Sequence, residues 1–358
     1  MVAVLGWDIG GANTKAAFIK TKKGQVIEFK TAIEYFPFWK SSTNQFCALL
    51  TKLKDALCGS IKLDCVAVTM TAELSDAYRT KREGVNHILN CVAKIFTDSQ
   101  IVVLSVKGDL IPIEVAKEVP LEVASANWVA TGWLVSQYLS DCVVVDVGST
   151  STSIIPIVNG KVAASGKTDL EKLAHGELVY TGSLRTNIAA IVSSVPLRKS
   201  KVRVSSELFA QSADIHVVLG HISEAEYTCE TADAKGKKRS DALARIARVV
   251  CADTDMLSEK EIAEIAQYTY TAQLAQIAEG ITQVYSKLNP NAKTTFPLVV
   301  TGLGKEFLAK KAAEKANIKK IMDISEFLPA STAMLSPAAG LAWMTASKLE
   351  GEKLVWMQ

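Results

Sequence analysis

The first twenty residues place reactive side chains close together. In VLGWDIGGANTKAAFI, beginning at Val4, an apolar run stops at Asp8 and is followed by Gly10, Gly11, Asn13, Thr14 and Lys15. Glycines at a turn let the backbone come close to an anion, so several N–H groups can share one phosphate. Asn13 and Thr14 add side-chain donors, and Lys15 adds a point charge. Asp8 would repel phosphate, so its sensible role is to hold Mg²⁺, directly or through water, with the metal bridging to phosphate oxygens. The same pattern returns in CVVVDVGSTSTSIIPIVNG, from Cys142, with Asp146 as the carboxylate and Gly148, Ser149, Thr150 and Thr152 in the turn. VVTGLGKEFLA supplies a third glycine turn, at Gly302 and Gly304, opening a helix whose N-terminus also attracts anions. A single Asp-x-Gly-Gly after a strand is an ordinary tight turn. Two copies in equivalent places, with a late TGLG, point to a cleft for a di- or triphosphate gripped from both sides, with Asp8 and Asp146 as its metal holders.

The elements that must position these residues alternate between strand and helix, which indicates an α/β fold. Strands are expected at 3–7, 16–20, 25–30 and 64–71. In SSTNQFCALLTKLKDAL, Ser41 or Ser42 caps a helix whose Phe46, Leu49, Leu50, Leu53 and Leu57 keep helical spacing. EGVNHILNCVAKIF reads as a helix, and 121–139 as one continuous helix with small residues on one side. Asn159-Gly160 marks a turn between strands. An irregular middle is expected at about 166–256, then a long helix from Ser258 to about Lys287 with a core stripe of Ile262, Ile265, Thr269, Ile277, Ile281 and Val284. A strand, glycine turn and helix follow over 296–316, and a closing helix over 337–350. The repeat implies two lobes. The first is 1–138, with the closing segment 335–358 packing back on it. The second is 139–334, with an inserted substrate region at about 166–256.

The totals narrow the function classes. The chain has 358 residues, 49% hydrophobic and 22% charged, with a formal net charge of +3. That permits two sizeable cores and favours neither nucleic acid nor membrane as partner. The basic stretch KGKKRSDALARIARVV, from Lys235, lacks interleaved aromatics; it reads as a solvated loop and helix or an anion-attracting rim. Seven scattered cysteines without a CxxC pair read as reduced thiols, and Asp8 interrupts the only apolar stretch near the N-terminus, so a cytoplasmic protein is expected. The four histidines form no evident cluster, and His216 and His221 fall off a shared helical face.

In order and spacing, the three glycine turns resemble the actin-like ATPase and sugar-kinase superfamily. That resemblance implies an α/β fold of two ribonuclease-H-like lobes around a central cleft. A narrower one rests on GWDIGGANTK, TMTAELSDAY, ASANWVATGW, VDVGSTSTSIIPI, GELVYTGSLRTN, SELFAQSADIHVVLG, RIARVVCAD and VVTGLGKEFLA. These resemble the hydantoinase/oxoprolinase-like proteins linked to tetrahydromethanopterin C1 transfer in methanogens and methylotrophs. In methanogens the resemblance implies a transferase of methanofuran biosynthesis. It joins an aminomethylfuran-methyl diphosphate to γ-glutamyltyramine, forms an aryl ether and releases diphosphate. The partners are then a small-molecule diphosphate and a phenolic amine. Mg²⁺ is required, and ATP is admitted as a ligand but not expected to be consumed. The phenol, with an ordinary pKa near 10, needs a base; Glu73 and Asp76 are the candidates, with Asp8 next. Tyr180 would stack on a furan or phenol ring, and Arg185, beside Thr186, would bind a carboxylate or phosphate. Asn127, Trp128 and Trp133 would line the cleft, although core packing suits the tryptophans better. Two other readings stay open: an ATP-dependent kinase or oxoprolinase-like amidohydrolase, and a non-catalytic nucleotide-binding regulator.

Overall fold

A computed structural model describes residues 1–288 and 296–356. Residues 289–295, inside the expected second lobe, and 357–358, at the end of the closing segment, lie outside the described residues. The strands are β1 (Val2–Ile9), β2 (Asn13–Lys22), β3 (Gln25–Tyr35), β4 (Cys65–Met70), β5 (Gln100–Leu104), β6 (Leu110–Pro112), β7 (Cys142–Val147) and β8 (Thr152–Val158). They continue with β9 (Lys161–Val162), β10 (Leu178–Val179), β11 (Ser194–Leu197), β12 (Ser200–Arg203), β13 (Leu298–Gly302), β14 (Ile321–Asp323) and β15 (Val355–Trp356).

The chain divides into two units. The first comprises 1–141, 157–171 and 324–358, and the second comprises 142–156 and 172–323. Residues 139–141, 157–171 and 324–334, expected in the second lobe, therefore belong to the first unit.

In the first unit the sheet order is β15-β3-β2-β1-β4-β5-β6. β2 runs antiparallel to β1 and β3, while β4 and β5 run parallel to β1. The central order 3-2-1-4-5 with one reversed strand is the ribonuclease-H-like arrangement. One face of β1 carries Leu5, Trp7 and Ile9 into a core shared with the helices Thr43–Cys58 and Lys81–Ile95. Ser42 caps the first of these: its Oγ accepts from Gln45 N, and its N–H donates to the Gln45 side chain. The other face of β1 meets the closing helix Ser336–Glu350. A Cβ on Gly6 would lie 2.6 Å from Ala338 O and 2.7 Å from Ala342 N. Only glycine allows that approach.

The second unit repeats the order in β10-β8-β7-β13-β14, with β13 parallel to both β7 and β14. The long helix Glu259–Leu288 buries the whole expected stripe from Ile262 to Val284, and Ser258 Oγ receives Glu261 N.

Three expectations need correction. The stretch 121–139 is not one helix but two, Pro120–Val123 and Asn127–Ser136. Ser125 sits between them in the left-handed region at φ 53°, which no helix tolerates. The middle, 166–256, is ordered: it holds β10 to β12 and the helices Asp169–His175, Ser212–Val218 and Arg239–Arg248. Its anchor is buried Arg245, whose guanidinium meets Asp214 at 2.8 Å and Asp233 at 3.0 Å. His216 and His221 also meet, Nδ1 to Nδ1 at 3.1 Å, because their helix ends at Val218 and His221 N turns back onto His216 O.

Candidate active site

Each unit presents a hairpin built the same way. In hairpin 1, between β1 and β2, Gly10 N donates to Asn13 O at 3.0 Å; in hairpin 2, between β7 and β8, Gly148 N donates to Ser151 O at 2.9 Å. The duplicated sequence therefore closes duplicated turns.

Hairpin 1 is charged. Asp8 is buried at the end of β1, and its neighbour in β2 is Lys15, whose Nζ lies 3.4 Å from Asp8 Oδ2. Burial pushes the Asp8 carboxyl above its ordinary range, while Lys15 and Asn127 favour the charged form. Asp8 Oδ1 has no hydrogen-bond partner, and neither does Thr69 Oγ1, on the residue paired with Asp8 across β1 and β4. Two buried polar atoms without partners, on residues paired in adjacent strands, are costly unless a ligand satisfies them. At the tip, a Cβ on Gly11 would meet nothing within 4 Å, so the turn opens to space. Thr14 pairs with Ile9, on the face opposite Asp8, and its buried hydroxyl also lacks a partner.

Hairpin 2 is neutral in its side chains beyond Asp146, and it is wrapped. Gly148 O and Ser149 O accept from the backbone of Ser183, Leu184 and Arg185. Gly182 approaches so closely that a Cβ would lie 2.6 Å from Thr150 C. Arg185 Nη1 donates to Thr150 Oγ1 at 3.2 Å. The segment carrying Tyr180, Arg185 and Thr186 thus lies directly on the turn carrying Ser149 and Thr150. Two hydroxyls are engaged within the protein: Thr152 Oγ1 donates to Thr181 O at 2.8 Å, and Thr186 Oγ1 accepts from Gly182 N at 2.9 Å. Tyr180 is exposed. The TGLG turn reaches the same place. Gly302, at φ 87°, would put a Cβ 2.5 Å from Asp146 Oδ1, and Gly304 N donates to Val147 O at 3.1 Å.

Glu73 is buried in the first unit, two residues beyond Thr71, whose N–H donates to Ile9 O beside hairpin 1. Its Oε1 accepts from Ser125 Oγ at 2.7 Å, its Oε2 has no partner, and burial pushes its carboxyl up to about 7. Asp76 is exposed in the following turn. Asn127 opens its helix near Asp8, Trp128 is buried, and Trp133 is half-buried.

The model of the hydantoinase/oxoprolinase family matches residues 64–353, a range that holds hairpin 2 and begins after hairpin 1. The chain belongs to that family. A (4-{4-[2-(gamma-L-glutamylamino)ethyl]phenoxymethyl}furan-2-yl)methanamine synthase from Methanocaldococcus jannaschii is 37% identical over 350 residues, covering 98% of this chain and 99% of the relative. A protein of the same name from Methanococcus vannielii is 37% identical over 214 residues, covering 59% of this chain and 94% of its own. Among solved structures, nucleotide-free acetone carboxylase superposes with a TM-score of 0.56 at 12% identity, over 96% of this chain and 70% of that one. At that identity the likeness shows the fold alone, an α/β fold of two ribonuclease-H-like units.

Three features of the site are not evident from the sequence motifs. A cavity of about 480 Å³ is lined by Phe36, Phe38, Phe46, Tyr78 and His87. Its wall hangs from hairpin 1, because Phe36 N donates to Ala12 O and Phe38 N to Gly11 O. The three phenylalanines pack with centroids 4.7 to 5.8 Å apart, and Tyr78 Oη lies 2.6 Å from His87 Nδ1. The Phe36-Pro37-Phe38 run before the helix cap is the cavity's local signal. Thr69 and the Ser125–Asp169 pair left none, because each depends on strands or turns meeting across the sequence.

Proposed function

We propose that this protein condenses 5-(aminomethyl)-3-furanmethanol diphosphate with γ-glutamyltyramine, forming the aryl ether of methanofuran biosynthesis and releasing diphosphate. One observation carries it: an open phosphate-type turn with a buried carboxylate and a lysine shares its backbone with the wall of an aromatic cavity. A substrate with a diphosphate on an aromatic CH₂ has both parts. The names of the relatives, one of them matched nearly end to end, agree with it.

Gly10, Gly11, Asn13 and Lys15 hold the diphosphate of the furan substrate at hairpin 1. The phenylalanine wall seats an aromatic ring by its face. In the second unit, Ser149, Thr150, Gly148 and the Gly302–Gly304 turn form a second anion-binding surface. Arg185 there takes the glutamyl carboxylate, and exposed Tyr180 packs beside it. The partnerless oxygens of Asp8 and Thr69 fit a small divalent cation that keeps water and phosphate as its other ligands. Asp8 is accordingly the residue that holds Mg²⁺, and Asp146 is its counterpart at hairpin 2. When bound, Mg²⁺ neutralises charge growing on the departing diphosphate. Lys15 and the turn's N–H groups, fixed in advance, do the same. Glu73 takes the proton of the attacking phenol. Thr152 and Thr186 act on the shape of hairpin 2 and its covering loop rather than on phosphate.

The test is diphosphate release by purified protein with Mg²⁺, given the furan diphosphate with and without γ-glutamyltyramine, and ATP alone in parallel. Release that needs both substrates and ignores ATP is expected. ATP hydrolysis with no release from the furan compound would move the chemistry to a kinase or amidohydrolase.

A further inference from the structure

The groups around Glu73 do more than bury a carboxyl. Ser125 Oγ lies 2.7 Å from Glu73 Oε1 and 2.7 Å from Asp169 Oδ2. Lys81 Nζ lies 2.7 Å from the same Asp169 oxygen, 3.2 Å from Ser125 Oγ and 3.9 Å from Glu73 Oε1. A serine hydroxyl has one hydrogen. With both carboxylates ionised, one of the two 2.7 Å contacts holds no hydrogen, and two like charges compete for one donor. A single added proton removes the conflict. Asp169 has the closer lysine, while Glu73 has the buried oxygen without a partner, Oε2. The added proton therefore belongs on Glu73.

We infer that Asp169, acting through the hydroxyl of Ser125, is the positioning residue that makes Glu73 a proton acceptor. The inference rests on the aryl-ether reading above for the source of the proton. As the phenol attacks, its O–H bond breaks and the aryl O–CH₂ bond forms. The CH₂–O bond to diphosphate breaks, with the electron pair leaving on diphosphate. The phenol proton goes to Glu73 Oε2, and the Ser125 hydroxyl turns wholly to Asp169, which Lys81 neutralises. Among the described residues, Lys81 and Asp169 are the charged groups that act on Glu73, and half-buried Tyr78 is a titratable neighbour. Burial is the main cause of the raised Glu73 carboxyl; Ser125 and Lys81 oppose it and Asp169 adds to it.

Two readouts test this in the full-length protein. The first is the pH profile of diphosphate release with both substrates, for wild type, Asp169→Asn, Asp169→Glu and Ser125→Ala. The second is substrate-free: ¹³C titration of glutamate carboxyls, with the Glu73 signal assigned through Glu73→Gln. Asp169→Asn removes a negative charge, so Glu73 should ionise more readily. Its titration and the acid limb of the rate profile should both move to lower pH, by about one unit. The plateau rate should fall several-fold, since the base is weaker. Asp169→Glu should restore both, and Ser125→Ala should move the titration upward. A Glu73 titration unchanged in Asp169→Asn would overturn the proposal. So would a rate lost equally at every pH and not recovered by glutamate. If wild type releases no diphosphate from the two substrates, the aryl-ether reading falls and with it the phenol as proton source, whereas the carboxyl titration still decides whether Asp169 controls Glu73.

Discussion

Hairpins 1 and 2 share a hydrogen-bonding pattern and differ in almost everything that surrounds it. At hairpin 1 the carboxylate is buried against a lysine, one of its oxygens is unsatisfied, and the glycine tip is open. At hairpin 2 the position of Lys15 is taken by Ser153, and a second loop closes over the turn carbonyls with four hydrogen bonds, three from backbone N–H groups and one from Ser183 Oγ. One backbone solution thus serves two ends. The first turn keeps unsatisfied polar atoms for a ligand, and the second uses its polar atoms to fix a loop that carries Arg185.

The comparison can be broken most sharply at the two aspartates. Asp8→Asn should lower diphosphate release by roughly 10²- to 10³-fold, the usual consequence of removing one preorganised charge-stabilising group. Asp146→Asn should cost about tenfold by the same reasoning applied to a less buried group. Equal losses would erase the distinction between the turns. Chelation should act like the first substitution: excess EDTA should abolish release, and added Mg²⁺ should restore it. Persistent activity in EDTA would remove the cation from hairpin 1. Arg185→Ala should then raise KM for γ-glutamyltyramine by about tenfold and leave kcat in place, since a charge-assisted hydrogen bond to a carboxylate is worth about 1.5–3 kcal/mol. An unchanged KM would leave Arg185 a structural clasp on the hairpin 2 turn.

The glycines give the smallest and cleanest contrast. Gly302→Ala combines φ 87° with a 2.4 Å approach to Val147 O, and it should cost about 1–3 kcal/mol in a denaturant titration. Gly11→Ala meets no atom, so its stability should stay within about 0.5 kcal/mol of wild type. Its KM for the furan diphosphate should nonetheless rise, because the methyl stands where phosphate approaches. Matched stability losses would mean that the tip of hairpin 1 is structural too.

Much of this was legible from the chain itself. Asp8 and Asp146, with their glycines, announced a duplicated turn, and the stripes from Phe46 to Leu57 and Ile262 to Val284 announced buried helix faces. Such signals are local, carried by a period or a turn within a few residues. What stayed hidden was non-local or conformational. Ser125 interrupts a helix through its backbone angle, which serine does not advertise. Asp169 reaches Glu73 from nearly a hundred positions away, and Thr69 gains its meaning only from pairing with Asp8 across β1 and β4. His216 and His221 were judged by helical spacing, yet the helix ends between them.

The contact between Gly6 and the closing helix also bears on synthesis. Nearly the full length of the chain separates Gly6 from Ala338, yet one face of the first strand is complete only when that helix arrives. On the ribosome, the first unit begins to emerge first but is finished last, after both segments of the second unit, 142–156 and 172–323, have left the tunnel. A nascent chain arrested before Ser336 would expose the Gly6 and Asp8 face of its first sheet, and such surface attracts chaperones and proteases. Loss of the last few dozen residues would therefore damage the beginning of the protein rather than its end.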